Sequence, residues 1–203
     1  MTRLILWRHG RTDWNHIHRI QGQLDSELDE VGLAQAAAGA PALAAVQPLL
    51  IVSSDLRRTT RTAGFLADLT GLPVELDPRL RERHFGRWQG LTMAEIEQNH
   101  AEEWAASQRG EHGADGVESV AALGERAAAA LADIADRVGE SGTAVVVTHG
   151  GAARAGVATL LGLTAARWHL LGALKNCAMT DLRRDSARGW VLQAHNLPLA
   201  TAL

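Results

Sequence analysis

Leu4-Ile5-Leu6-Trp7-Arg8-His9-Gly10 decides how the rest of this 203-residue chain is read. Four apolar residues in a row are too few for a helix, but they have the length and continuity of a strand buried on both faces. The run stops on an arginine, a histidine and a glycine. In an open α/β sheet, ligands bind in the crevice beyond the carboxyl ends of the strands. A triplet able to hold and attack an anion therefore falls where such a sheet puts its ligands.

Three more brief apolar runs, Leu49–Ser53, Val74–Leu76 and Ala144–Thr148, alternate with longer helical patterns. That alternation predicts an α/β fold, a mostly parallel central sheet with helices on both faces. A helix is expected from Leu56 to Leu69, with Gly71 placed to stop it. Thr92 and Glu95 form the pattern of a capping box opening Met93–Asn99. Val120, Leu123, Ala127, Leu131, Ile134 and Val138 recur at helical spacing between Ser119 as cap and Gly139 as stop. Ala152–Leu161 is apolar nearly all round and reads as a buried helix. Pro41 interrupts an Ala-rich helix that begins near Glu30, and a break or kink is expected there. Toward the end, Cys177, Met179 and Asp181 alternate with smaller residues, and Asp185–Gly189 supplies a turn before Trp190–His195. This is a C-terminal hairpin, expected as an antiparallel edge. Without repeats or linkers, residues 1–203 read as a single domain.

Composition excludes several classes of function. Hydrophobic residues make up 46% and charged residues 21%, which is ordinary for a folded globular chain. A net charge of −3 offers no general attraction to nucleic acid or an anionic membrane. The first apolar run is too short for a signal-peptide core, and no segment reaches the roughly 18 apolar residues of a membrane span. A cytoplasmic protein is expected. Cys177 is the only cysteine, so no intrachain disulfide is available.

The chemistry comes from convergence. The first strand runs into Arg8-His9-Gly10, the second reaches Arg57-Arg58 shortly after Ser53-Ser54, and the fourth runs into His149-Gly150-Gly151. Arg81 and Glu82 follow the third on the same side. Guanidinium groups present a fixed fork of donors to phosphate oxygens, and glycines allow close backbone approach. A neutral imidazole is a competent nucleophile at phosphorus near pH 7, since its reference pKa is ~6.5. The leaving alkoxide then needs a proton and water must later be activated, and Glu82 is the candidate for both.

Four ordered motifs carry a resemblance. They are Arg8-His9-Gly10-Arg11-Thr12-Asp13-Trp14-Asn15, then Ser54-Asp55-Leu56-Arg57-Arg58 with Thr62-Ala63, Leu80-Arg81-Glu82 and Thr148-His149-Gly150-Gly151. Together they resemble the histidine phosphatase superfamily, the phosphoglycerate mutase-like enzymes. The resemblance implies that His9 is transiently phosphorylated and that Arg8, Arg58 and His149 hold the transferring phosphoryl group. It makes Glu82 the proton donor and acceptor, and puts Asn15, Gln21 and Gly150 against phosphate or substrate. It implies neither metal nor organic cofactor. Segments 21–28, 47–58 and 79–92 resemble one group within the family, the actinobacterial glucosyl-3-phosphoglycerate phosphatases, with a departure at Val117 where relatives commonly carry a second glycine.

The expected activity is hydrolysis of a small phosphate ester, such as glucosyl-3-phosphoglycerate, another phosphoglycerate or a sugar phosphate. A phosphoglycerate mutase is the alternative. Mutases of the family carry a longer basic insertion between the acid and the second histidine, whereas from Gly90 to Ser119 this chain has only Arg109. A non-catalytic binding module is disfavoured because both nucleophile and acid are retained. Among the remaining residues, Arg57 is expected at the surface, His16 and His18 in a solvated loop rather than at a metal, and His84 either in the pocket or packed by Phe85. Trp168 with Leu170 and Leu171 is expected as an exposed patch for a homodimer.

Overall fold

A computed structural model describes residues 1–109 and 116–199. Its centre is β1 (Thr2–Arg8), whose residues Leu4 to Trp7 are completely buried. β1 pairs in parallel with β4 (Thr143–Thr148), which pairs with β2 (Leu50–Ser53), and β2 with β3 (Val74–Leu76). On its other side β1 meets β5 (Ala178–Asp185) antiparallel, and β5 meets β6 (Gly189–Pro198). The order β3-β2-β4-β1-β5-β6 is the mostly parallel sheet with an antiparallel edge hairpin that the patterning predicts. Asp185 Oδ1 closes the hairpin turn by accepting from the N–H groups of Ala187 and Arg188.

Alternation along the strands divides the core in two. Leu4, Leu6, Val52, Ala144 and Val146 face α6 (Val120–Val138) and α7 (Gly150–Leu160). Ile5, Trp7, Ile51, Val145 and Val147 face α2 (Glu30–Ala44) and α3 (Arg57–Thr70). Each strand residue thus covers one of two helical layers, which is why these runs are apolar without a break. α3 ends on Gly71 in the left-handed conformation (φ 71°), and the Ser119 side chain caps α6. α1 (Asp13–His16), α4 (Met93–Asn99) and α5 (Ala101–Gln108) are the other α-helices among the described residues, α4 opening on the Thr92–Glu95 capping box.

The break expected at Pro41 is not found. α2 runs through Pro41 to Ala44 without a break. Pro41 lies in the last turn on the exposed side, and the carbonyl of Ala37, deprived of its donor, is on that same face where water can serve it. The Pro41 carbonyl still accepts from the N–H of Ala45.

The start of α2 is pressed against the loop that leaves β1. A Cβ added at Gly32 would meet Arg11 O at 1.9 Å, and one at Gly10 would meet Gly32 O at 2.3 Å. Asp29 caps α2 and also binds the Arg11 guanidinium at 2.6 Å. Two backbones therefore cross where neither can carry a side chain. Gly32→Ala should cost ~1–3 kcal/mol in urea unfolding through overpacking. Gly64→Ala in α3, where nothing lies within 4 Å, should instead stabilise by up to ~1 kcal/mol. Equal effects of the two changes would contradict the crossing.

Candidate active site

His9 follows β1 directly, is 3% exposed, and gives its backbone N–H to Thr148 O at 3.1 Å. Its Nδ1 lies 2.7 Å from Gly10 O. A carbonyl can only accept, so Nδ1 carries the proton and Nε2 keeps the lone pair. Burial, with Arg58 and then Arg8 beside it, holds the His9 pKa well below 6.5. The ring is neutral at pH 7, with a free nitrogen.

Arg58, in the first turn of α3, is 1% exposed. Its Nη2 donates to Gly22 O at 2.7 Å, its Nη1 to Leu24 O at 2.9 Å, and its Nε to His149 Nδ1 at 3.2 Å. Burial pushes its pKa down to about 10, opposed by Glu82 and Asp25, so it remains a cation at pH 7. Since Arg58 can only donate, His149 accepts at Nδ1 and must donate from Nε2, to Ser54 Oγ at 2.9 Å. The His149 pKa is also held well below 6.5 by burial, with Arg58 the largest of the neighbouring charges. The two imidazoles meet edge to face with centroids 5.2 Å apart.

Glu82 takes the amino terminus of α7. Its Oε2 accepts from the N–H of Gly151 at 2.9 Å, and its Oε1 from those of Ala152 at 3.0 Å and Arg83 at 2.8 Å. Oxygen acceptors belong there because the first N–H groups of a helix have no internal acceptor. The loop carrying Glu82 hangs on Arg126 of α6, which donates to the carbonyls of Arg79, Arg81 and Glu82 and forms a fork with Glu118. Gly150 opens α7 beside Arg8, and a Cβ there would stand 3.5 Å from Arg8 Cζ. Arg8 donates from Nη1 to Leu174 O at 2.6 Å, and its Nε is buried without a hydrogen-bond partner among the described residues.

Asn15 and Gln21 border the same loop. Asn15 Oδ1 accepts from Thr12 and from Asn176 Nδ2, leaving its own amide N–H groups unused among the described residues. Gln21 is 8% exposed and its Oε1 accepts from Ser26 Oγ. The structure thus brings His9, Arg8, Arg58, Glu82, His149 and Gly150 to one sheet edge, with Asn15 in α1 and Gln21 on the segment that follows it.

Sequence reading overlooks two residues here. Asn176 Nδ2 reaches His9 O at 3.1 Å, Gly10 O at 3.2 Å and Asn15 Oδ1 at 3.2 Å, tying the loop after β1 to the start of β5. Cys177 next to it has φ 53°, unusual for a residue with a side chain, and its N–H faces Arg8 O and His9 O. Arg126 is the second. Neither lies in a motif, and both act mainly through backbone carbonyls, which leave no trace in residue type.

Other expectations sort themselves. Arg57 is exposed and paired with Asp25 and Glu27. His16 and His18 are exposed, and among the described residues no group of three His, Cys, Asp or Glu could hold a metal ion. His84 lies against the 116–119 segment, with Nδ1 2.8 Å from Gly116 O, while Val117 bridges to Phe85. His112 and the rest of 110–115 lie outside the described residues. Trp168 is not part of an exposed patch: it is 6% exposed beneath the guanidinium of Arg154, and of that trio only Leu170, at 65%, is open.

Two outcomes are expected. Asn176→Ala should lower kcat/KM by ~10–100-fold through loosening of the His9 loop, and full activity would exclude a positioning role. Below pH 6.5 the unfolded chain takes up protons at His9 and His149 that the folded chain refuses. Stability is then complete above pH 6.5 and declines on acidification, by up to ~1.4 kcal/mol per pH unit for each histidine. Urea melts between pH 7 and 5 should show the decline, with a shallower one in His9→Asn. A flat profile would contradict the buried neutral rings.

The profile of the histidine phosphatase superfamily (branch 1) matches residues 4–198. Glucosyl-3-phosphoglycerate phosphatase of Mycobacterium tuberculosis is 43% identical over 205 residues, covering 92% of this chain and 87% of that one. A probable phosphoglycerate mutase of Yersinia pestis is 37% identical, with 92% of it and 96% of this chain covered. The structure of mycobacterial glucosyl-3-phosphoglycerate phosphatase complexed with VO3 superposes with a TM-score of 0.89 at 41% identity, covering 97% of this chain and all of that one. With profile, relatives and solved structure agreeing over nearly its whole length, the chain belongs to the histidine phosphatase superfamily.

Proposed function

We propose that this chain is a phosphomonoesterase working through a phosphohistidine on His9. The observation that carries the reading is the state of His9: neutral, protonated on Nδ1 toward Gly10 O, with no hydrogen bond to Nε2 among the described residues and the cations of Arg58 and Arg8 acting on the ring. In the first step the Nε2 lone pair attacks phosphorus and the bond to the ester oxygen breaks. Glu82 delivers a proton to the leaving alkoxide. In the second step Glu82 takes a proton from water, whose oxygen displaces the phosphoryl group as inorganic phosphate and returns His9 to its starting state.

Arg8 and Arg58 neutralise the charge on the transferring group, and the unpartnered Arg8 Nε is a donor suited to a phosphoryl oxygen. His149 donates from Nε2, exchanging Ser54 for that oxygen. Asn15, with unused amide N–H groups, and Gln21 and Gly150 line the phosphate and substrate side. The profile match over residues 4–198 supports reading 1–203 as a single domain.

The substrate we infer is a small anionic phosphate ester without nucleic acid or membrane, glucosyl-3-phosphoglycerate or another phosphoglycerate or sugar phosphate. The substrates in the names of the mycobacterial and Yersinia relatives both carry a carboxylate near the phosphate. Mutase activity is the second reading, favoured by the Yersinia likeness. A cytoplasmic homodimer is the proposed setting, with Leu170 offered as an apolar contact.

Phosphate release and phosphoryl shift should be assayed in parallel across a panel of esters that includes the phosphoglycerates. Phosphate release is expected to dominate, and isomerised phosphoglycerate as the main product would establish the mutase. Glu82→Gln should lower kcat/KM, which reports the first step alone, by ~10²–10⁴-fold on alkyl phosphates and much less on p-nitrophenyl phosphate, whose leaving group needs no proton. Near-normal turnover of an alkyl ester would sink the acid role.

A further inference from the structure

Arg154 lies on α7 four residues after Gly150 and three after Gly151, on the helix face that meets Arg8 and Glu82. Side chains on a helix lean toward its amino terminus. Here that end holds the Glu82 carboxylate and follows His149. The Arg154 guanidinium carbon sits 4.0 Å over the Trp168 ring. Its Nε is closed to solvent without a hydrogen-bond partner, and among the described residues no acceptor is bonded to its terminal nitrogens. Glu82 attracts it electrostatically, against the burial that lowers its pKa, yet the two side chains form no ion pair.

Such an arrangement is incomplete by itself. Stacking on Trp168 satisfies one face of the guanidinium, Nε is left without an acceptor, and the terminal nitrogens, which are not closed to solvent, are available to an anionic partner. The nearby carboxylate is committed to the amino terminus of α7. The ester's phosphoryl group already has Arg8 and Arg58. A flat guanidinium fork matches a planar carboxylate as well as it matches a phosphate, and with the phosphoryl group already served a carboxylate is the partner that remains. Trp168 fixes the plane of that fork, as a receptor for a directional partner requires.

We propose that Arg154, stacked on Trp168, binds a carboxylate on the alcohol part of the substrate and so selects phosphate esters of hydroxy acids. This rests on the phosphatase reading above and adds to it a named residue that determines specificity. Trp168, held in an apolar cluster with Val120, Leu123 and Ala155, then presents one face of its ring to support the cation.

The test compares 3-phosphoglycerate with glycerol 3-phosphate, which differ in whether a carboxylate or a hydroxymethyl group ends the chain. Wild-type enzyme should prefer the carboxylate ester. Arg154→Met should lower the ratio of the two kcat/KM values by ~10–100-fold, with the loss in KM, and Arg154→Lys should restore part of it. A ratio unchanged in Arg154→Met overturns the proposal, because a structural or phosphate-holding role would affect both esters alike. Wild-type enzyme that hydrolyses both without preference also overturns it and leaves the phosphatase reading standing. Release of phosphate from no ester at all would remove that reading and this inference with it.

Discussion

A guanidinium taken out of water must be given acceptors, and Arg58 is given two loop carbonyls and the Nδ1 of an imidazole. Much of the site follows from that requirement. Gly22 and Leu24 must turn their carbonyls inward, which folds the loop after β1 over the end of the sheet. His149 must accept at Nδ1, which fixes its tautomer and puts its only N–H on Nε2. The cation also lowers the pKa of His9, after the larger effect of burial. Arg58 remains charged because its pKa, though pushed down to about 10, stays far above neutrality.

The groups that react are held by backbone more than by side chains. His9 is positioned by Gly10 O, Thr148 O and Asn176, and the loop behind it is locked by the crossing of Gly10–Arg11 with Gly32. Glu82 is positioned by three N–H groups, two of them at the start of α7. Nucleophile and acid are thus each attached to the end of a central strand or the helix that follows one, and these ends belong to the most buried part of the molecule. Rigid supports of this kind keep reacting atoms within the small displacements that catalysis tolerates.

Much of this is legible in the chain alone, for a physical reason. Strands β1, β2 and β4 are buried on both faces, so their apolar runs are unbroken. The Thr92 box and Gly71 announce helix ends through side-chain chemistry and backbone freedom that few other residues offer. His9, Arg58, Glu82 and His149 are legible because their motifs fall after successive strands. Asn176 and Arg126 are not, because what they recognise is mainly backbone carbonyl oxygen, which every residue has. The unbroken helix at Pro41 escapes reading because propensity says nothing about exposure. The burial of Trp168 escapes it because a tryptophan under an arginine looks in sequence like a tryptophan at a surface. The Glu82 carboxylate at the start of α7 is hidden too: the glycines after His149 suggest N–H groups open to a ligand, and the protein's own acid takes two of them.

The central claim is that His9 becomes phosphorylated on Nε2. Its tautomer, its burial and the charges of Arg58 and Arg8 all bear on that one atom. The most direct measurement is to quench the enzyme during turnover of a phosphate ester at alkaline pH, where phosphohistidine survives, and to record the ³¹P spectrum and map the modified peptide. A single phosphohistidine at residue 9, substituted on Nε2, is the predicted result. Phosphate on Nδ1, on another residue, or on no residue while turnover proceeds would contradict the mechanism.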